Sequence, residues 1–109
     1  MKILLDENID VKFKNVFDAK VNEVFTVRDM NWLGIKNGEL LRLLELNHFD
    51  VFIAVDKSLP YQQNITILPV LIIILNVRRN VLARITSLYP DILQILSKPI
   101  QKKIVVLNE

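Results

Sequence analysis

Short apolar runs alternate with amphipathic segments along the whole chain. Apolar runs rich in β-branched residues predict strands at residues 2–6, 23–27, 51–55, 67–75 and 103–107. The runs 51–55 and 67–75 are apolar throughout, which is typical of strands buried on both faces of a parallel sheet. Because proline cannot donate to a strand ladder, Pro69 indicates that the fourth strand begins in earnest at Val70.

Between the predicted strands, apolar residues recur at helical spacing. This spacing predicts helices at residues 9–18, 38–46 and 81–96. Asn37 is a good N-cap for the second helix. Pro90 leaves two alternatives for the third, either one long helix or two helices that abut there. Polar residues predict loops at 28–36 and 58–64, and the last strand is expected at an edge of the sheet.

The resulting order is β-α-β-α-β-loop-β-α-β. Strands that alternate with helices predict an α/β fold, with a mainly parallel sheet covered on both faces in three α/β/α layers. Right-handed crossovers are expected between the strands. In open sheets of this kind, ligands bind at the carboxyl ends of the strands.

Composition narrows the classes of protein that fit. The chain has 109 residues, of which 51% are hydrophobic and 24% charged, so residues 1–109 are expected to form one globular domain. Absence of cysteine excludes disulfides, zinc thiolate sites and thiol catalysis. The apolar stretch 65–75 is shorter than the about 20 residues that a membrane-spanning helix needs. No signal peptide is evident, and we expect a cytoplasmic protein with no membrane partner.

Acidic residues follow two of the predicted strands. Asp6 and Glu7 close the first run, and Asp56 closes the third. Glu39 lies in the first turn of the second predicted helix. If the two strands are neighbours, these carboxylates meet at one edge of the sheet and favour a hard cation, Mg²⁺ or Mn²⁺. The alternative for each acid alone is a helix cap, a favourable interaction with the helix dipole or plain solvation.

Four segments carry a resemblance to a known family. They are LDEN at 5–8, NGELLR at 37–42, FDVF at 49–52 and DKSLPYQQN at 56–64. These segments resemble the short, single-domain PIN-like proteins of the PIN nuclease superfamily. The resemblance is specific from residue 1 to about residue 75 and looser beyond.

The resemblance implies a function. PIN domains are metal-dependent ribonucleases of the α/β/α kind, and many are toxins of toxin–antitoxin pairs. It implies that Asp6, Glu39 and Asp56 are the metal-binding and catalytic acids, with Mg²⁺ or Mn²⁺ activating a water that hydrolyses RNA. It also implies RNA as substrate and a cognate antitoxin as partner. Ser58 and Asn37 are neutral where related sequences carry further acids.

Several polar residues are candidates for contacts with the RNA. Lys57 follows Asp56, and Arg78 and Arg79 follow the fourth strand, so all three are expected at the acidic edge, where they could contact phosphates. Gln62 and Gln63 lie in the loop beside the presumed site. The alternative for these residues is an ordinary solvated surface, or a loop whose backbone they satisfy.

Two other interpretations compete with a nuclease. The first is a catalytically weak or inactive PIN-like interaction module, with the surface around Trp32 and the long third helix binding an antitoxin or a second copy of the chain. The second is a receiver-like phosphoacceptor domain, because Asp6, Asp56 and Lys98 resemble its phosphorylation site. A receiver needs a helix where residues 59–64 are short and polar, and its lysine should end a strand.

Overall fold

The computed structural model describes residues 1–57 and 68–109. In this part of the chain, five strands form: β1 (Lys2–Leu5), β2 (Glu23–Thr26), β3 (Val51–Ala54), β4 (Leu71–Asn76) and β5 (Ile104–Asn108). The helical segments there are a 3-10 helix (Val11–Val16), α1 (Asn37–Leu46), α2 (Leu82–Thr86) and α3 (Tyr89–Leu96). The loop predicted at 58–64 lies outside the described residues.

The five strands make one sheet in the order β2-β1-β3-β4-β5, and every pairing is parallel. Leu4 pairs with Phe25 on one side and with Phe52 on the other. The α/β prediction with a parallel sheet is confirmed, and β5 lies at an edge as expected. Because β1 and β3 are direct neighbours, the residues that follow them lie side by side at the carboxyl edge.

Alternate residues of each strand belong to two separate hydrophobic cores, one on each face of the sheet. Ile3, Leu5 and Ile53 pack with the 3-10 helix, α2 and α3 on one face. Leu4 and Phe52 pack with α1 on the other face. Side chains on both faces of the strands are therefore apolar. This explains why the strand sequences are continuous apolar runs and do not alternate between apolar and polar residues.

The connections across the sheet do not share one hand. The 3-10 helix joins β1 to β2, whereas α2 and α3 join β4 to β5 in the opposite direction across the sheet. Both connections cover the same face, since Phe13 and Ile85 belong to one core. Two parallel crossovers that step in opposite directions over one face have opposite hands, so the expectation of right-handed crossovers is wrong for one of them.

Two helix boundaries differ from the prediction. The segment 9–18 forms a 3-10 helix that starts after Asp10, whose carboxylate accepts the Lys12 N–H at 2.9 Å, and ends at the extended Phe17. Asn37 is the first residue of α1 and not its cap, because the Lys36 carbonyl already accepts the Leu40 N–H at 2.8 Å. For the third helix, the alternative of two helices is confirmed, with Pro90 in the first turn of α3.

His48 ends α1 in a left-handed conformation, with φ at 60°. Its N–H donates to the Glu45 carbonyl at 3.2 Å, and the Phe49 N–H donates to the Leu44 carbonyl at 2.9 Å. This pair of bonds is the Schellman pattern, in which the left-handed position is usually glycine. Phe49 then packs with Leu44 in the α1 core. The only histidine therefore has a structural position at the amino edge of β3.

Candidate functional site

A cavity of about 770 Å³ opens between the carboxyl ends of β1 and β3 and the first turn of α1. We call it the acidic cavity. Its lining residues are Asp6, Glu7, Asn8, Gly34, Ile35, Lys36, Asn37, Gly38, Glu39 and Asp56. The structure thus brings the three predicted metal-binding acids, Asp6, Glu39 and Asp56, to one concave surface, together with Glu7.

Asp6 is held in place by the backbone on both sides. Its N–H donates to the Ile53 carbonyl at 3.0 Å, which extends the β1–β3 ladder by one residue. Its carbonyl accepts the Ile9 N–H at 3.0 Å, which turns the chain toward the 3-10 helix. The side chain therefore leaves the strand at a fixed point, beside the end of β3.

The Asp6 carboxyl is in an unfavourable electrostatic environment. Burial raises its pKa above the ordinary value of 3.8, and the neighbouring carboxylates of Glu7 and Asp56 raise it further, against a lowering by the Glu7 backbone N–H. In the described part of the chain, no lysine or arginine forms an ion pair with it. A partly buried carboxyl beside two like charges is the condition that a bound cation relieves.

Glu39 lies at the rim of the acidic cavity. Its carboxylate is exposed and approaches the Arg42 Nε at 3.9 Å, one turn along α1. Such an exposed pair adds little to stability, roughly 0–1 kcal/mol, and leaves the side chain free to rotate. Within residues 1–57 and 68–109, no set of three or more acidic or histidine side chains is close enough to hold a metal ion.

The donor chemistry fits Mg²⁺ or Mn²⁺. Asp6, Glu7, Glu39 and Asp56 offer carboxylate oxygens, and hard divalent cations prefer oxygen ligands. Mg²⁺ in particular keeps several waters and takes only one or two protein carboxylates. Asp6 and Asp56, which interact electrostatically at the adjacent ends of β1 and β3, would supply two such carboxylates.

Glu7 was expected to be as suited to capping the next helix as to binding a ligand. Asp10 makes that cap instead, so Glu7 is left to line the acidic cavity and to act on the pKa of Asp6. Lys57, which directly follows Asp56, is exposed and does not line the acidic cavity, and its contact with phosphate stays a prediction. Gln62 and Gln63 lie outside the described residues.

Arg78 and Arg79 lie at the carboxyl edge, as predicted, but beside β5 and outside the lining of the acidic cavity. The Arg78 N–H donates to Glu109 Oε1 at 3.0 Å, and Arg84 Nη1 lies 2.6 Å from Glu109 Oε2. These two contacts hold the pKa of Glu109 below its usual value. Arg78 consequently lines a separate, smaller cavity with Arg84 and Glu109.

Asn80 connects the arginine segment to the acidic cavity. Its side-chain amide donates to the Asn8 carbonyl at 2.6 Å. The two residues are far apart in the chain, and neither belongs to a periodic pattern, so no local signal pointed to them. Lys36 and Gly34 were also missed as lining residues. Gly34 has a φ of 81°. The chain has only two glycines, and this scarcity was the sequence signal that could have indicated a special backbone position there.

Trp32 was interpreted as a core residue or an interface anchor. Its ring lies 5.9 Å from that of Phe49, and it packs against the α1 core while partly exposed. Its packing supports a core role.

No helix in the described ranges has the length and apolar character that crossing a membrane requires.

Comparison with protein-family models, with curated proteins and with solved structures found no match to this chain. The functional assignment therefore rests on the acidic cavity and on the residues that form it.

Proposed function

We propose that this chain is a PIN-like ribonuclease that requires Mg²⁺ or Mn²⁺ and hydrolyses RNA phosphodiesters in the cytoplasm. The observation that carries the proposal is the convergence of Asp6, Asp56, Glu7 and Glu39 on one cavity at the carboxyl edge of a parallel sheet. A three-layer α/β/α arrangement is supported by helical segments that pack on both faces of that sheet.

Asp6 and Asp56 would hold the cation, with Glu39 contributing from the first turn of α1. When bound, a divalent cation in such a site polarises a phosphoryl oxygen and lowers the pKa of a coordinated water. The backbone bonds of Asp6 to Ile53 and Ile9 fix the point of the main chain from which its carboxylate extends. Glu39 at the rim is suited to orienting the attacking water, because its exposed side chain can turn inward from Arg42.

RNA binding would use the cations along the same edge. Lys57 and Arg79 are exposed and follow β3 and β4 at this edge, where they would neutralise phosphates of the RNA. The backbone N–H of Arg78 is held by Glu109, and its exposed guanidinium would contact the RNA from that position. Gln62 and Gln63, which follow Asp56 in the chain, would make hydrogen bonds to the sugars or bases of the RNA.

The decisive assay is RNA cleavage by purified protein in Mg²⁺ or Mn²⁺. Replacing Asp56→Asn should reduce the cleavage rate roughly 10²-fold or more, as expected for a positioned carboxylate. Asp91→Asn, an exposed acid on α3, is the matched control and should leave the rate unchanged. Absence of cleavage by the wild-type chain, or equal cleavage by Asp56→Asn, would contradict the proposal.

A toxin of a toxin–antitoxin pair is the proposed biological role, with a cognate antitoxin as partner. Expression of such a nuclease should arrest growth, and Asp56→Asn should relieve the arrest. Growth arrest that Asp56→Asn leaves intact would separate toxicity from the acidic cavity.

A catalytically inactive PIN-like interaction module is the second candidate. The observation that favours it is the exposed Glu39 carboxylate, which approaches Arg42 Nε at 3.9 Å and is not among the carboxylates that raise the pKa of Asp6. The two candidates separate in the cleavage assay, because an inactive module binds its partner with or without Asp56.

The receiver-like alternative finds less support. The strand order is one that receivers also use. However, Lys98 lies between α3 and β5, beside Leu71 and Lys103 at the amino edge of the sheet. A lysine there is on the opposite edge from Asp56, and β5 ends in Asn108 and Glu109. Failure of a small phosphodonor to modify Asp56 would eliminate this alternative.

A further inference from the structure

Strand β5 leaves one side of its backbone unpaired. The Lys103 carbonyl accepts the Ile72 N–H at 2.9 Å, and the Glu109 N–H donates to the Asn76 carbonyl at 3.2 Å. Odd-numbered residues of β5 therefore direct their backbone groups toward β4. In a strand, alternate residues point their N–H and C=O groups to opposite sides. The backbone groups of Ile104, Val106 and Asn108 consequently face the open edge of the sheet.

No hydrogen bond within residues 1–57 and 68–109 satisfies those outward backbone groups. The strand itself carries no proline and no lysine, the residues that commonly protect an edge. Val106, at its centre, has 47% of its surface exposed. An unprotected apolar edge of this kind is a template for pairing with another strand.

The opposite edge of the sheet is protected at its carboxyl end by its own turn. The outward N–H of Thr26 donates to Asp29 Oδ2 at 2.9 Å, and the Thr26 carbonyl accepts the Met30 N–H at 3.2 Å. Asp29 is in turn paired with Lys14 at 3.0 Å. The turn thus protects the carboxyl end of β2, whereas all three outward residues of β5 are open. Pairing of β5 with β5 of a second copy about a twofold axis gives a closed dimer.

The β5 edge is complementary to itself. If two copies pair antiparallel about a twofold axis at Val106, Val106 faces its own counterpart and Ile104 faces Asn108 of the other copy. These are the residues with outward backbone groups, so each pair exchanges both hydrogen bonds. In the same register, Lys103 lies opposite Glu109 of the other copy, at both ends of the pairing.

The charges reinforce that register. Lys103 and Glu109 fall at non-hydrogen-bonded pairs, where facing side chains come closest. The Glu109 carboxylate already accepts one bond at each oxygen, from Arg78 and Arg84, and has lone pairs left for a lysine. A parallel pairing in register would place Lys103 against Lys103 of the other copy, which is unfavourable.

We infer that the chain forms a homodimer through antiparallel pairing of β5 with β5 of a second copy, which joins the two sheets into one continuous sheet. This inference does not depend on the nuclease function. The acidic cavity lies at β1 and β3, away from β5, so both cavities remain open in the dimer.

The first test is the solution mass together with amide exchange by NMR. Sedimentation should give twice the monomer mass of 12.7 kDa. The Val106 and Ile104 amides should be protected from exchange in the dimer and lose protection on dilution, whereas the Val105 and Leu107 amides stay protected throughout. A monomer at every concentration, or a dimer in which the Val106 amide exchanges freely, would overturn the inference.

The second test uses variants of the edge. Val106→Pro removes an outward N–H and no bond to β4, so it should give a folded monomer, while Val106→Thr, which keeps the amide and the β-branch, should remain a dimer. Lys103→Glu and Glu109→Lys should each weaken the dimer alone, and an equimolar mixture of the two variants should restore it. A mixture no more dimeric than either variant would rule out this register.

Discussion

The side-chain amide of Asn80 donates a 2.6 Å hydrogen bond to the backbone carbonyl of Asn8. It ties the segment that carries Arg78 and Arg79 to the loop that lines the acidic cavity. Asn80→Ala should therefore weaken RNA binding by up to about fivefold, the equivalent of one hydrogen bond of about 1 kcal/mol. The salt dependence of binding should not change, because no charge is lost.

Arg79→Ala should behave differently from Asn80→Ala. Loss of one phosphate contact lowers both the affinity and the slope of log affinity against log salt, by about one unit. Asn15→Ala, an exposed asparagine of the 3-10 helix, is the control for both changes. An unchanged slope in Arg79→Ala would show that Arg79 does not contact the RNA backbone.

Asp6 should make the metal-free protein less stable at neutral pH. Its pKa is raised by burial and by the carboxylates of Glu7 and Asp56, so the folded state holds the proton more tightly than the unfolded state does. The contribution of Asp6 to stability therefore falls as the pH rises from 3.8, the unfolded value, through the raised pKa of the folded state. Asp6→Asn should remove this loss.

The measurement is thermal unfolding in a chelating buffer across that pH range. At neutral pH, Asp6→Asn should melt at a higher temperature than the wild type, and the difference should shrink as the pH falls toward 3.8. Asp91→Asn controls for loss of one acid elsewhere. A lower melting temperature for Asp6→Asn at neutral pH would mean that Asp6 is stabilised by the chain itself.

His48 should be a site of backbone strain. It adopts a φ of 60°, where an L side chain is disfavoured by roughly 1–2 kcal/mol and glycine is not. We expect His48→Gly to increase the free energy of unfolding by about 1 kcal/mol. His48→Ala keeps the Cβ and should give no such gain. Chemical denaturation of the three proteins measures this, and equal stability of the glycine and alanine variants would contradict it.

The sequence was sufficient to predict the elements that depend on local pattern. The apolar runs located all five strands to within a few residues, and the strand-end positions of Asp6 and Asp56 followed from them. Their adjacency required a tertiary fact, the pairing of β1 with β3, which the pattern could only suggest. Asn37 was misplaced as a cap because α1 gains its first bond from the Lys36 carbonyl.

What the sequence could not predict depends on contacts between distant segments. The Asn80–Asn8 bond and the Arg84–Glu109 pair each join residues on different elements. The hand of the β4–β5 crossover depends on which face of the sheet α2 and α3 pack against. Their amphipathic spacing is the same for either face. The sequence left open whether Glu7 caps the next helix or lies at the site. Asp10, three residues later, makes the cap, and Glu7 lines the acidic cavity.

Calorimetric titration of Mn²⁺ into the metal-free protein tests the central claim most directly, with Asp6→Asn and Glu45→Gln as paired variants. Glu45 is an exposed acid of α1 outside the acidic cavity. Saturable binding by the wild type and by Glu45→Gln, lost in Asp6→Asn, is the predicted result. No binding by the wild type, or binding that Asp6→Asn retains in full, would contradict a metal site at the ends of β1 and β3.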